Sequence, residues 1–151
     1  MKPNLTPILA VNSFSTAKDL FKPHGGYEPR VEGQILIATV SGSWNIEMHM
    51  ASNEMARPLA EKLNSAGSWG VIVVIQDTLV SSLEVLKAGR QSVPENPNCS
   101  NLLALAWVID PHVEGYRFML DQYKQMYEGL LFTDVFSTLE QARIWMLQKL
   151  P

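Results

Sequence analysis

The chain has 151 residues, 46% of them hydrophobic and 18% charged, with a net charge of −3. That length suits one domain with one core, and the acidic balance leaves no basic footprint for nucleic acid. No apolar run approaches the roughly 20 residues that span a bilayer, so an integral membrane protein is not expected.

Cys99 is the sole cysteine, which rules out an intrachain disulfide and makes a cytoplasmic setting the simplest expectation. Residues 1–12 carry one lysine, two prolines and only a four-residue apolar stretch, and so lack the core of a secretory leader. Two readings fit residues 1–22. One is a short helix with Phe14, Ala17 and Phe21 on one side; the other is a loosely held arm. Residues 23–151 read as one domain.

Tyr27–Val31 and Gln34–Val40 flank Glu32-Gly33 and read as a β-hairpin. Pro29 has no N–H to give a ladder, so the first arm belongs at a sheet edge. The second arm is apolar nearly throughout, as in a strand covered on both faces. Ser41–Asn45 then forms a turn, with Asn45 as N-cap of a helix. That helix carries Met48, Met55, Leu59 and Leu63 along one stripe. Pro58 within it predicts a kink or two helical pieces, and Gly67 is available for a left-handed cap.

Val71–Ile75 is the next apolar run, followed by Ser81-Ser82-Leu83-Glu84. The same order recurs where Leu131–Phe136 meets Ser137-Thr138-Leu139-Glu140. Ser-x-x-Glu is a capping box, in which the serine oxygen accepts a backbone N–H and the glutamate reaches back. The second helix is expected from Ser82 to about Gln91, then a proline-rich loop over 92–98, then a buried strand over 102–109. Tyr116, Met119, Leu120, Tyr123 and Met126 recur at helical spacing before Gly129, and the last helix carries Leu139, Ala142, Trp145, Met146 and Leu150. A hairpin strand followed by four β-α units is the grammar of an α/β fold. About five strands, mostly parallel, alternate with four helices.

Three segments share a likeness: His24-Gly25-Gly26-Tyr27-Glu28, Ser41-Gly42-Ser43-Trp44-Asn45-Ile46-Glu47, and Val135-Phe136-Ser137-Thr138-Leu139-Glu140-Gln141-Ala142. With the order of elements over roughly 24–150, they resemble the STAS-like proteins of the SpoIIAA-like fold. The resemblance implies a β-α superhelix and a non-catalytic protein-interaction or regulatory module without a cofactor. Its best-understood relatives are anti-sigma-factor antagonists, which bind a partner kinase and are switched by phosphorylation of a serine at the start of the second crossover helix. Ser81 falls at that position, with Val80 where the family pattern has Asp and Leu83 where it has Gly. Ser81, Ser82 and Glu84 are the residues the interaction reading would test first, although a plain N-cap explains Ser81 more simply.

The wider fold also includes proteins similar to carriers of nonpolar molecules, with a cavity between sheet and helices. Trp44, Met48, Met55, Trp69, Trp107, Met119 and Met126 would supply such a lining, against the simpler reading that they are core. The third reading is an enzyme. Asp110 and His112, at a strand's carboxyl end, are the best acid/base pair, although Asp110-Pro111 also reads as a turn. No zinc-protease, Cys-x-x-Cys, P-loop or nucleophile-elbow motif occurs, and three scattered histidines with one cysteine predict no metal site. A homodimer is compatible with a domain of this size.

Overall fold

The computed structural model describes residues 24–151, so both readings of residues 1–22 lie outside the described residues. Strands β1 (Gly26–Glu32), β2 (Ile35–Ser41), β3 (Trp69–Ile75), β4 (Leu102–Ile109) and β5 (Phe132–Phe136) form one sheet in the order β1-β2-β3-β4-β5. The β1–β2 pair is an antiparallel hairpin with Pro29 on the edge strand, opposite Ala38. Every other neighbouring pair is parallel. The chain is an α/β protein with a mixed five-stranded sheet and four helices, as the alternation of apolar runs and caps implies.

Helices α1 (Ile46–Ala66), α2 (Leu83–Glu95) and α3 (Tyr116–Gln125) connect successive parallel strands. Strand order that only ever steps one way, with crossovers of one hand, puts all three on the same face. Helix α4 (Leu139–Lys149) follows β5, is not a crossover between two of these five strands, and covers the other face. There Ala142 and Met146 bury themselves on Ile35, Ile37, Ile72, Ala104, Ala106 and Val108. Gly70 makes the close approach possible: a Cβ at that position would run into Met146 Sδ. Arg143 clamps the same helix to β1 through two hydrogen bonds to Glu32, at 3.0 and 2.8 Å.

Several local expectations change. α1 runs unbroken for 21 residues through Pro58. The proline is exposed, so its ring and the carbonyl it leaves unpaired at Glu54 face water. Gly67 ends α1 at φ 138° and ψ −156°, a positive-φ conformation that suits glycine but is not the αL cap. The Gln34 side chain instead donates to the freed Leu63 carbonyl at 3.1 Å. α2 extends to Glu95, through part of the segment expected to be loop. Val93 packs into the core there while Pro94 stays exposed, so burial outweighs loop-like composition.

Both helix caps sit one residue later than the Ser-x-x-Glu boxes imply. Ser82, not Ser81, accepts from Val85 N–H at 3.2 Å, and Thr138, not Ser137, accepts from Gln141 N–H at 3.2 Å. Asn45 caps α1 as expected, accepting from Met48 N–H at 2.9 Å.

A candidate ligand cavity between the sheet and helices α1 and α2

Side chains alternate across a strand, so every second residue of β2, β3 and β4 faces α1–α3. Leu36, Ala38, Val71, Val73, Leu105 and Trp107 form the floor of a cavity of about 740 Å³. α1 supplies one wall with Ser52, Asn53, Ala56 and Ala60, and α2 the other with Val85, Leu86, Gly89 and Val93. Small residues on the floor and the α1 wall, Ala38, Ala56 and Ala60, leave the space open, whereas Gly89 admits the Met126 side chain, which a Cβ there would run into. Tyr123 of α3 and Tyr127, in the turn that follows it, close the far side.

The mouth is built from loops at the carboxyl ends of β2 and β3. Trp44 stands edge-on to Tyr27, ring centres 5.9 Å apart, and its indole N–H donates to the Ser41 carbonyl at 3.2 Å. The Trp44 backbone N–H donates to Ser81 Oγ at 3.3 Å. Gly42, at φ 74°, donates its N–H to Asp77 Oδ1 at 2.8 Å, joining the two loops. A Cβ on Gly42 would come within 3.0 Å of the Gly25 backbone, so glycine is needed where the hairpin's start meets its end. Tyr123 OH donates to the Leu79 carbonyl at 2.8 Å and fixes the β3–α2 loop from beneath.

Electrostatically the interior is quiet. Burial holds the His49 imidazole below its ordinary pKa and so favours the neutral ring; its Nε2 lies 3.4 Å from the Asn53 amide. Burial pushes the Tyr27 phenol up to about 12 and raises the Cys99 thiol and the Tyr123 and Tyr127 phenols. Each of these groups is therefore driven toward its uncharged form near neutrality. The charged lining residues, Glu54 and Arg57, are exposed at the rim and paired with each other.

The three tryptophans expected as lining, Trp44, Trp69 and Trp107, all reach the cavity, and so does Met126. Met48, Met55 and Met119 do not. α1 turns His49, Asn53, Ala56 and Ala60 inward, and Met48 and Met55 lie one residue out of phase, about 100° around the helix. Met55 is 48% exposed, Met48 is buried outside the wall, and Met119 packs in the core beneath α3. Tyr27, His49, Ser52 and Cys99 were not foreseen as lining. The period-two alternation at 36/38, 71/73 and 105/107 is the signal from which this floor could have been found.

Ser81 is half-buried and lines the cavity, whereas Ser82 and Glu84 are exposed beside it on α2. Asp110 and His112 do meet: Asp110 Oδ1 lies 2.9 Å from His112 Nδ1 and accepts the His112 N–H at 2.8 Å. They do so in open solvent, with side chains 65% and 96% exposed and outside the cavity wall. The backbone bond from His112 comes first among the causes that lower the Asp110 pKa, and the pair closes the turn before α3. Among the described residues no three His, Cys, Asp or Glu side chains converge to hold a metal ion, and no helix is long and apolar enough to cross a membrane. No protein-family model matches the chain, and no curated protein is significantly similar to it.

Proposed function

We propose that this chain is a non-catalytic binder of a small, uncharged, largely apolar molecule held between the sheet and helices α1 and α2. The observation that carries the reading is the cavity itself. Protein interiors are packed with few voids larger than a water, and a space of about 740 Å³ lies within the range of ligand sites, roughly 300–1,000 Å³. Its floor is aliphatic and aromatic, burial favours the neutral forms of His49, Tyr27, Cys99, Tyr123 and Tyr127, and the charged lining residues Glu54 and Arg57 pair with each other at the rim. The carrier-like members of the fold that the sequence resembles support the same conclusion.

The test is displacement of a neutral fluorescent probe such as phenylnaphthylamine by uncharged apolar compounds, with native mass spectra of the purified protein alongside. Bound probe, displaced competitively, is expected. Absence of both probe binding and any adduct overturns the proposal.

A second reading, the STAS-like interaction module, draws on one further observation. Val80 and Leu83, 44% and 64% exposed, flank the Ser82 cap and form an apolar spot at the start of α2. Leu83→Asp separates the two readings, because it abolishes partner capture on that surface and leaves probe binding intact. Ser81 itself favours the cavity reading: a phosphate there would have to fit between Trp44 and the phenol of Tyr123, which it approaches.

A further inference from the structure

Histidine is the side chain whose ordinary titration falls between about pH 5 and 8, and one histidine lines the cavity. His49 stands on the inward stripe of α1 with Asn53, Ala56 and Ala60, whereas His24 and His112 are exposed and outside the wall. The His49 ring is half-buried, and its side-chain neighbour is the Asn53 amide, 3.4 Å from Nε2.

Among the described residues no countercharge is built beside that ring. β2, β3, β4 and α2 contribute no charged or titratable side chain to the wall. Tyr27 on β1, Cys99 ahead of β4, Tyr123 on α3 and Tyr127 just after it are raised by burial and stay neutral across this range. On α1 itself, Glu54 and Arg57 pair with each other at the rim. Glu47 lies outside the wall, about 200° around the helix from His49. Asp77, at the mouth, accepts the Gly42 N–H and is not part of the wall.

Resting on the binding reading above, we infer that His49 is an acid-operated release device: the chain holds its apolar ligand near neutrality, and a proton taken up by the ring drives the ligand out. The physical reason is competition. An apolar ligand seated against the ring strips away the water an imidazolium needs, and the wall has no unpaired carboxylate to replace it. The neutral ring is therefore the form that tolerates a bound ligand, and proton and ligand weaken each other by the same factor. The sign follows from burial, which already holds the ring below its ordinary 6.5 in the free protein. Affinity is full above 6.5 and falls as pH drops through that lower value, approaching about tenfold per pH unit.

The experiment titrates phenylnaphthylamine, whose own charge does not change in this range, into wild type, His49→Gln and His112→Gln between pH 7.5 and about 5. The His49 ring resonances are followed over the same range in wild type, with and without the probe. Wild type is expected to bind about threefold or more weakly at the acid end. His112→Gln keeps that response, and His49→Gln loses it. Bound probe is expected to move the His49 titration to lower pH. The resonances in wild type decide the matter if His49→Gln fails to fold. Affinity that does not change with pH, with a ring that titrates alike in both states, overturns the inference and leaves the binding reading standing. Affinity that rises in acid overturns it in favour of a ligand that the imidazolium attracts. A pH response retained in His49→Gln overturns it by assigning the loss to a general loosening of the fold. Absence of probe binding at pH 7.5 overturns the binding reading itself, and the inference with it.

Discussion

The two faces of the sheet are made by the same strands and packed in opposite ways. Under α4, Ala104, Ala106, Ala142 and Met146 are wholly inaccessible to solvent, and Gly70 lets the Met146 sulfur reach the backbone layer. Under α1 and α2, small residues of the same kind leave a void. One helix on the α4 face can settle into whatever depth its small partners allow. On the other face three helices must each return the chain to the next strand, and their length and spacing hold α1 and α2 off the floor. Small residues therefore bring an element closer where it is free to move and open a cavity where it is not.

Substitutions that enlarge one alanine on each face break or sharpen that comparison most directly. Ala106→Leu, against α4, is expected to cost about 2–3 kcal/mol of stability by overpacking. Ala38→Leu, over the cavity, is expected to be neutral or to stabilise by up to about 1 kcal/mol, because space is waiting for the added methyls. It should also weaken phenylnaphthylamine binding at least several-fold. Denaturant midpoints check the first pair of values and probe titration the last. Similar losses at both positions would mean that the cavity is absent in solution.

A smaller effect concerns the helix that forms one cavity wall. Ser82→Ala should cost about 1 kcal/mol by removing the acceptor for Val85 N–H. Ser81→Ala should cost less, because its half-buried Oγ caps no helix and accepts only a long bond, 3.3 Å, from the Trp44 N–H, and it should also change probe binding. Reversed stabilities would return the cap to Ser81.

The adjacent serines show why the fold was more legible in the sequence than the site. Val71–Ile75 and Leu102–Ile109 announce buried parallel strands by being apolar without interruption, and Asn45 marks a helix start by chemistry that needs no distant partner; Gly129, expected to stop α3, lies four residues beyond its last residue, Gln125. Ser81-Ser82 and Ser137-Thr138 each offer two competent caps, and which one is used depends on where the incoming loop is held: for α2, by Trp44 and Tyr123 reaching in from elsewhere in the chain. Pro94 reads as loop until Val93 is seen to be core. The cavity is further removed still. It is the volume left over when α1 and α2 are placed on the sheet, so the rotation of α1 that admits Asn53 and Ala56 and excludes Met48 and Met55 has no local sign. The tryptophans were found by residue type alone, because large aromatic side chains line a cavity or a core wherever the fold places them.

The smallest expected difference between the faces is their response to acid. On the cavity face, burial lowers the His49 pKa from 6.5. The unfolded chain then takes up that proton first as pH falls, so stability present above 6.5 is lost as pH drops from 6.5 toward the lowered folded value. On the α4 face, the paired hydrogen bonds from Arg143 lower the Glu32 pKa from 4.5. Stability from that clamp is present above 4.5 and lost as pH falls through the folded value. Wild type should therefore lose thermal midpoint relative to His49→Gln between pH 7.5 and about 5, a range in which Glu32→Gln runs parallel to it. Below about 4.5 the order changes: the gap between wild type and Glu32→Gln closes, while His49→Gln tracks wild type. Because Glu32 and Arg143 are partly open to solvent, added salt should shrink the second difference and leave the first. If both variants diverged from wild type over one common range, the two faces would titrate as a single unit and the contrast between a closed and an open face would have no electrostatic counterpart.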